Sequence, residues 1–185
     1  PGHKDFGEDT YRTLMAADSA AMLIDAAKGV EAQTRKLYDV CKLRTMPIFT
    51  FANKMDREGK DPLELIDDVE NTLGIKCVPV TWPFGMGDRF RGIYHLIKKA
   101  LYLYKPDSEV PEIIPLEDWS SPIIKEHAPD EYVLNKFIED MQLLEGVVGE
   151  FDEEEFLKGK LTPMTFGSAK NNWGVDVFLK LFSQW

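Results

Sequence analysis

The sequence predicts an α/β fold with a doubly wound, mostly parallel sheet, and three features of the chain support this prediction. Short apolar runs alternate with segments of helical periodicity. Polar loop residues follow the apolar runs, as they follow the strands of an α/β sheet. A strongly acidic stretch then interrupts the alternation before one last strand and helix. Alternating strands and helices are typical of a sheet with helices on both faces.

The predicted strands are four short apolar runs. Residues 18–27 are almost uninterrupted in their apolar character, as expected of a strand buried on both faces. The other three strands are predicted at residues 47–51, 76–83 and 161–167. Ligands of doubly wound sheets bind beyond the carboxyl ends of the strands. The residues that follow each strand are therefore the candidates for a functional site.

Three helices are predicted, at residues 31–44, 61–74 and 174–185. The second has the clearest ends, because an Asp-Pro pair suits its first turn and a glycine suits its exit. Apolar residues at helical spacing are expected to face the core. In the three helices these residues are Leu37, Val40, Cys41 and Leu43, then Leu63, Ile66, Val69 and Leu73, and finally Phe178, Leu181, Phe182 and Trp185.

The composition is that of a soluble globular protein, with 44% hydrophobic and 29% charged residues, and a cytoplasmic location is expected. No apolar run approaches the ~18 residues that span a bilayer, and the start has no signal peptide, so no membrane association is expected. Because the first residue is Pro1 and not Met, we expect the chain to begin inside a longer protein. Cys41 and Cys77 lie in apolar segments without CxxC spacing, which favours buried free thiols. The three histidines are too scattered for a metal site.

The net charge of −10 is concentrated in one stretch of the chain. Residues 107–155 contain 16 acidic and two basic residues, so this stretch carries −14 and the remainder +4. We therefore predict an acidic inserted subdomain at residues 105–155, flanked by the two parts of one main domain, 1–104 and 156–185. An acidic surface repels phosphates, so the chain is not expected to bind nucleic acid directly.

An aromatic-rich stretch precedes the acidic one. Its members are Trp82, Phe84, Phe90, Tyr94, Tyr102 and Tyr104. Core packing, as a platform beneath the inserted subdomain, is the favoured interpretation, and stacking on RNA is the alternative.

The segment Asn53-Lys54-Met55-Asp56, directly after the second strand, has the spacing NKxD. Guanine presents N1–H and an exocyclic amino group side by side, and a carboxylate such as that of Asp56 can accept both hydrogen bonds. Adenine lacks this pair of donors, so the same carboxylate would reject it. Asn53 is expected to tie the loop together and reach the base, with the Lys54 stem along the ring. For these four residues alone, a polar turn after a strand is the alternative.

A second loop strengthens the guanine interpretation. Gly167-Ser168-Ala169-Lys170 follows the fourth predicted strand, and its small residues let the backbone approach a ligand closely. The N–H of Ala169 is expected to meet the guanine carbonyl, and Lys170 to cover the other face of the base. Gly-Ser is ordinary loop chemistry by itself. Two such loops after two strands of one sheet, in this order, indicate a guanine site.

The chain begins with the motif PGHKDF, which resembles the PGHxDF switch segment of the translational GTPases. The resemblance implies a P-loop-NTPase-type sheet that is incomplete in this chain. It also implies that Pro1 and Gly2 lie on the phosphate side of a GTP site, where the Gly2 N–H contacts the γ-phosphate. His3 is implied as the catalytic residue, which positions the attacking water when the ribosome triggers hydrolysis.

Three further stretches resemble the peptide chain release factor branch of that family more than the elongation factors. They are EDTYRTLMAADSAAMLIDAAKGVE, NKMDREGKDPLELIDDVENTLGIKCVPVTWPFGMGDRFRGIYHL and FDEEEFLKGKLTP. This branch implies a ribosome-stimulated GTPase of translation termination that removes the class-one release factor. Elongation factor G is the alternative. By resemblance to its insertion, residues 107–155 are a candidate contact for ribosomal stalk proteins, although a solvated acidic face is the simpler interpretation.

The chain departs from the family pattern in one large respect. It has no GxxxxGK[ST] phosphate loop, because Gly59-Lys60 and Gly159-Lys160 lack both the earlier glycine and the following Ser or Thr. In the family that loop and a Mg²⁺ ion supply most of the affinity for GTP or GDP. We therefore expect GTP, GDP and Mg²⁺ to be ligands of a longer protein. For the chain alone we expect no metal ligands, little or no nucleotide binding and no hydrolysis.

Two other classes of function stay open on the residues alone. The chain could be an inert structural or interaction domain, which the missing phosphate loop favours. It could also be a flavodoxin-like nucleotide enzyme that shares only the sheet, although such an enzyme would need another phosphate cradle. Gly85 and Gly87 do not supply one, because no helix opens after them in a GxGxxG pattern.

Overall fold

The structure is a computed structural model that describes residues 7–106, 108, 110–147 and 151–185. Its strands are β1 (Ala20–Asp25), β2 (Ile48–Asn53), β3 (Lys76–Pro79), β4 (Thr81–Phe84), β5 (Gly92–His95), β6 (Ala100–Leu103), β7 (Glu112–Pro115) and β8 (Leu161–Phe166). Its helices are α1 (Gly7–Ala16), α2 (Ala32–Leu43), α3 (Pro62–Leu73), α4 (Pro122–His127), α5 (Glu131–Val147), α6 (Glu153–Leu157) and α7 (Val175–Gln184). None of the helices in these ranges is long and apolar enough to cross a membrane.

A parallel sheet in the order β1-β2-β8-β3 forms the main layer, which confirms the predicted α/β class. β2 and β8 contain only uncharged residues, on both faces of the sheet. Both strands are buried along nearly their whole length. Inside the core, Thr50 Oγ1 and Thr162 Oγ1 lie 2.7 Å apart and join the two strands a second time. The carboxyl ends of β2 and β8 therefore lie side by side.

The first strand is not buried on both faces, as its apolar run predicted. β1 lies at the edge of the sheet, and exposed and buried residues alternate along it. Met22 and Ile24 are buried, whereas Leu23 between them is 56% exposed. The prediction was wrong because, within the described residues, one face of this edge strand has no covering layer.

The predicted strand at residues 76–83 is two strands that belong to two sheets. β3 pairs with β8 in the parallel sheet, and after Val80 the chain continues as β4 into an antiparallel sheet of order β4-β5-β6-β7. Residues 77–84 are all buried, so the apolar pattern carries no sign of the change of sheet. The antiparallel sheet as a whole was not predicted. Its strand β7 lies beyond residue 105, so this sheet continues across the predicted start of the inserted subdomain.

Helix α5, from the acidic stretch, packs on the antiparallel sheet. The Phe137 ring makes edge contacts with the rings of Phe84 and Tyr94, at centroid distances of 5.2 and 5.7 Å. Trp82 Nε1 donates a hydrogen bond of 3.0 Å to Asp140 on the same helix. All six residues of the aromatic-rich stretch are buried, which confirms the predicted core packing.

The boundaries of α3 and α7 are as predicted, and most of the residues predicted to face inward are buried. Asp61 caps α3 by accepting a hydrogen bond of 2.9 Å from the Leu63 N–H, and Gly74 ends the helix with a φ of 67°. In α7, Phe178 is buried and its ring lies 5.2 Å from that of Phe49 in β2. This aromatic contact fixes α7 against the parallel sheet.

Helix α2 turns a slightly different face to the core from the predicted one. Leu43, which was predicted to face inward, is 84% exposed in the last turn of the helix. Tyr38 is buried in its place, beside the predicted Cys41. Cys41 and Cys77 are buried free thiols, as predicted, and burial raises the pKa of both.

Candidate functional site

Two loops that follow β2 and β8 form the candidate site. Because Ala52 and Phe166 are register partners in neighbouring parallel strands, the residues after them leave the sheet at the same edge. Residues 53–56 and 167–170, which the sequence singled out separately, are thus brought together. Hydrogen bonds between the two loops then fix their relative position.

Asn53 ties the two loops together, which is the structural part of the role predicted for it. Its side-chain Oδ1 accepts one hydrogen bond of 2.8 Å from the Lys54 N–H and another of 2.9 Å from the Ala169 N–H. The Ala169 N–H is therefore directed at Asn53 in this structure. For this N–H to read a guanine carbonyl as well, the base must share or displace the bond to Asn53.

Asp56 is the carboxylate of the site. It accepts a hydrogen bond of 2.6 Å at Oδ1 from the hydroxyl of Ser168, a residue with no exposed surface. This bond crosses from one loop to the other and orients the carboxyl group. Among the described residues, no other hydrogen bond or ion pair involves Asp56. A carboxylate has about four acceptor positions, so most of the accepting capacity of Asp56 remains for a ligand.

A backbone bond beneath these side chains completes the connection. The N–H of Met55 donates to the Gly167 carbonyl at 3.0 Å, and the Met55 carbonyl accepts from the Gly87 N–H at 2.8 Å. Met55 is fully buried. Gly87 lies in the turn between β4 and β5. The antiparallel sheet therefore contacts the first of the two loops directly.

Asp25 is a residue of the site that the sequence analysis did not assign. It ends β1 beside Asn53, and its Oδ2 lies 2.6 Å from Lys54 Nζ. The hydrogen bond from Lys54 holds the pKa of the Asp25 carboxyl below its usual value. The sequence did place Asp25 at the carboxyl end of a predicted strand. Because the neighbouring strand β2 ends at the predicted site, this position was the signal that could have identified Asp25. Lys54 itself has a φ of 71°, which is uncommon for a residue other than glycine.

The phosphate and catalytic side of the predicted site lies outside the described residues, because Pro1, Gly2 and His3 precede residue 7. Lys170 is exposed at the tip of the second loop. Within the described ranges, no group of three or more His, Cys, Asp or Glu side chains could hold a metal ion. A cleft of about 350 Å³ lies between the start of α3 and α5, and none of the predicted site residues lines it.

The chemistry of these residues fits a guanine base. A half-buried carboxylate held by a serine hydroxyl can accept the paired N1–H and amino donors that only guanine, among the common bases, presents. The Ala169 N–H of the second loop can meet the guanine carbonyl once the base shares or displaces its bond to Asn53. The Lys54 side chain, held by Asp25, lies at the same edge of the sheet.

Comparison with known proteins agrees with this chemistry. The family profile described as "Elongation factor Tu GTP binding domain" matches residues 1–185. A peptide chain release factor 3 from Gloeobacter violaceus is 51% identical over 187 residues, which cover 98% of this chain and 34% of that protein. The chain thus spans about a third of the length of this relative. The predicted likeness to the release factor branch is confirmed.

A solved crystal structure of a Thermus thermophilus protein has the same fold. It superposes with a TM-score of 0.71 at 23% identity, over 98% of this chain and 28% of that one. The predicted relation to the translational GTPases is therefore supported by sequence over the whole chain. The chain belongs to the elongation factor Tu GTP-binding domain family.

Proposed function

We propose that the chain is part of the GTP-binding domain of a peptide chain release factor 3. The proposed activity of the whole protein is a ribosome-stimulated GTPase of the cytoplasm that recycles class-one release factors in translation termination. The observation that carries this proposal is the pair of loops at the ends of β2 and β8, joined through Asn53–Ala169 and Asp56–Ser168. The relative that is 51% identical supports the choice of release factor within the family.

In this proposal Asp56 selects guanine over adenine. The Ser168 hydroxyl fixes one oxygen of the carboxylate, so the group meets the base without having to reorganise. Loss of both base hydrogen bonds would leave a desolvated carboxylate and cost on the order of 5–7 kcal/mol. Asn53 and the backbone at Ala169 hold the carbonyl side of the base, and Lys54 and Lys170 lie along its faces.

The phosphate side of the proposed site belongs to residues at the start of the chain and to residues outside it. Pro1 and Gly2 would contact the phosphates, and His3 would orient the attacking water. GTP or GDP would carry a Mg²⁺ ion held by residues outside this chain. We accordingly propose that the chain alone binds guanine nucleotides weakly and does not hydrolyse GTP. The acidic stretch 107–155 is the proposed contact with ribosomal stalk proteins.

Calorimetric titration with magnesium-GDP tests the proposal on three samples: the full-length protein, its Asp56→Ala variant and the present chain. We expect the full-length protein to bind GDP, the variant to lose about tenfold or more of that affinity, and the chain to give no signal. Asp67→Ala, which removes an exposed carboxylate from α3, is the matched control and should bind as the wild type does. GDP binding by Asp56→Ala at wild-type affinity would rule out the guanine-reading role.

A further inference from the structure

The second loop of the site is closed by Trp173, a residue that the sequence analysis did not single out. The Ser168 N–H donates to the Trp173 carbonyl at 2.8 Å, and the Trp173 N–H donates to the Ser168 carbonyl at 3.0 Å. These two bonds form the neck of a small loop whose tip is Ala169 to Asn172. The position of Trp173 therefore sets the position of the loop residues that face Asn53 and Asp56.

Two aromatic residues of the antiparallel sheet region hold the Trp173 side chain. Its ring stacks on the Tyr104 ring, with a centroid distance of 6.0 Å and an angle of 17° between the planes. The Phe90 ring lies 5.9 Å away on a tilted plane. Tyr104 and Phe90 are themselves buried, so the Trp173 ring packs against side chains of the core. Aromatic pairs of this geometry contribute beyond the area that they bury.

Tyr104 is fixed in turn to the helix that follows the loop. Its hydroxyl donates a hydrogen bond of 2.7 Å to Asp176 Oδ1 in the first turn of α7, and its N–H donates to the Arg91 carbonyl at 3.0 Å. Burial together with the bond to Asp176 raises the pKa of Tyr104 far above its ordinary value, so the hydroxyl stays a donor. One tyrosine thereby joins the antiparallel sheet, the aromatic stack and the start of α7.

The antiparallel sheet contacts the first loop as well as the second. The turn between β4 and β5 holds Met55 through the bond from the Gly87 N–H, as described above. Both base-reading loops therefore contact the antiparallel sheet region, in addition to the parallel strands β2 and β8 from which they extend.

We propose that Trp173 is a positioning residue for guanine recognition, because Tyr104 and Phe90 hold it where it fixes the loop that presents Ser168 and Ala169. The inference rests on the proposed function and adds a specific determinant to it. The residue does not contact the base in this account. It acts through the hydrogen bonds of Ser168 to Asp56 and of Ala169 to Asn53.

The test uses the full-length protein and compares Trp173→Ala with Trp173→Phe. Alanine removes the stacked ring, and we expect GDP affinity to fall by about tenfold or more. Phenylalanine keeps an aromatic ring between Tyr104 and Phe90, and should restore GDP affinity to within about threefold of wild type. Trp119→Ala is the matched control, since Trp119 bonds to Glu145 away from both loops, and should leave GDP affinity unchanged.

A second pair of variants removes one hydroxyl each from the antiparallel sheet. Tyr104→Phe loses the bond to Asp176, and we expect GDP affinity to fall by about threefold or more. Tyr94→Phe loses a bond of 2.8 Å to the Leu116 carbonyl, far along the chain from either loop, and should bind GDP as wild type does. This pair keeps the inference testable if Trp173→Ala does not fold.

Two further measurements separate positioning from general damage and from failure of the proposed function. Displacement by ADP should be equally weak in wild type and in folded Trp173 and Tyr104 variants, because only base reading changes. Amide hydrogen exchange at Ala169 and at residue 173 should be faster in those variants than in wild type, with or without nucleotide. If the wild-type protein does not bind GDP, the proposed function fails. Unchanged exchange and unchanged GDP affinity in folded Trp173→Ala would overturn the positioning role.

Discussion

At the scale of single residues, the Lys54–Asp25 pair adds a restraint to the first loop of the candidate site. The Lys54 backbone has a φ of 71°, and its ammonium group lies 2.6 Å from the Asp25 carboxylate at the end of the next strand. The Lys54 side chain is nearly half exposed, while that of Asp25 is 14% exposed. An ion pair with one partner nearly half exposed is screened by solvent and contributes little to stability. Its effect is expected in the orientation of the lysine stem.

Asp25→Asn tests this restraint. Asparagine keeps the shape of the side chain but cannot hold the ammonium ion by charge, so Lys54 loses its fixed direction. We expect the GDP affinity of the full-length protein to fall by roughly three- to tenfold, with the free energy of unfolding changed by less than about 1 kcal/mol. Calorimetry and urea unfolding measure the two effects.

Glu31→Gln is the control for Asp25→Asn. It breaks the exposed Lys28–Glu31 pair, which has a separation of 3.5 Å and lies outside the two loops. This variant should bind GDP with wild-type affinity. Equal GDP affinity in Asp25→Asn and wild type would show that Lys54 needs no partner on β1.

The site residues that could be predicted from sequence are those with a chemical signature. Asn53, Asp56 and Ser168 lie together as their spacing after two strands predicted, and the bond between Asp56 and Ser168 joins the loops. Asp25 and Trp173 were missed because their roles depend on neighbours that are distant in the chain. Asp25 ends a strand and Trp173 precedes a helix, but neither position in the sequence reveals the partners that the tertiary contacts supply.

At the scale of elements, one buried carboxylate joins α5 to the rest of the molecule. Lys136 on α5 pairs with Asp61 at the start of α3 at 2.7 Å, and also with Asp140 one turn further along α5. Asp140 is 3% exposed and also accepts from Trp82 in β4. Desolvation raises the pKa of Asp140 even though Lys136 lies beside it. The charged form of the Asp140 carboxylate is therefore stabilised in the core by the Lys136 ammonium group.

Lys136→Met is expected to destabilise the protein by about 3–5 kcal/mol, because it leaves the Asp140 charge buried without a neutralising cation, with only the hydrogen bond from Trp82 remaining. The double variant Lys136→Met, Asp140→Asn removes that charge too and should be more stable than the single variant, as measured by urea unfolding. Lys158→Met, which breaks an exposed pair with Glu154 on α6, is the control and should cost less than about 1 kcal/mol. A cost for Lys136→Met as small as that of the control would contradict a structural role for the pair.

The elements that could be predicted are those with a distinctive period or cap. α3 has both, and its ends lie where Asp61 and Gly74 placed them. The strands β5, β6 and β7 were missed because each has only four residues, too few for a period to be recognised. β4 also continues the apolar run of β3 without a break, since both strands are buried in different sheets.

At the scale of the whole molecule, the stability of the fold is expected to fall in mild acid through His95. This histidine lies in β5, is 1% exposed, and its Nε2 has no hydrogen-bond partner among the described residues. Burial, with a smaller effect from Lys98, lowers the pKa of His95 from 6.5 to about 4. Between pH 6.5 and 4, His95 is protonated in the unfolded chain but remains neutral in the folded chain. The free energy of unfolding should therefore decrease by up to about 3 kcal/mol over this range.

Comparison of wild type with His95→Gln isolates this effect from the titration of the carboxylates. The free energy of unfolding, measured with urea at pH 7.5 and at pH 5, should decrease less between these pH values in the variant than in wild type. This expectation holds whatever the stability of the variant at pH 7.5. His127→Gln, at the end of α4, is the control and should keep the wild-type difference. An unchanged difference in His95→Gln would show that His95 does not set the acid sensitivity of the fold.

The insertion of β8 between β2 and β3 has a consequence for the order of events during synthesis. Asp56 and Ser168 are 112 residues apart in the chain, yet their side chains meet in the site. At elongation rates of about 5–20 residues per second, roughly 6 to 22 seconds separate the synthesis of the two base-reading loops. During that interval β2 lacks one of its two neighbours in the sheet, and its apolar residues are exposed to other chains. If the two loops bind guanine as proposed, the nucleotide cannot stabilise the nascent protein in this period, because half of the proposed base site has not yet been made.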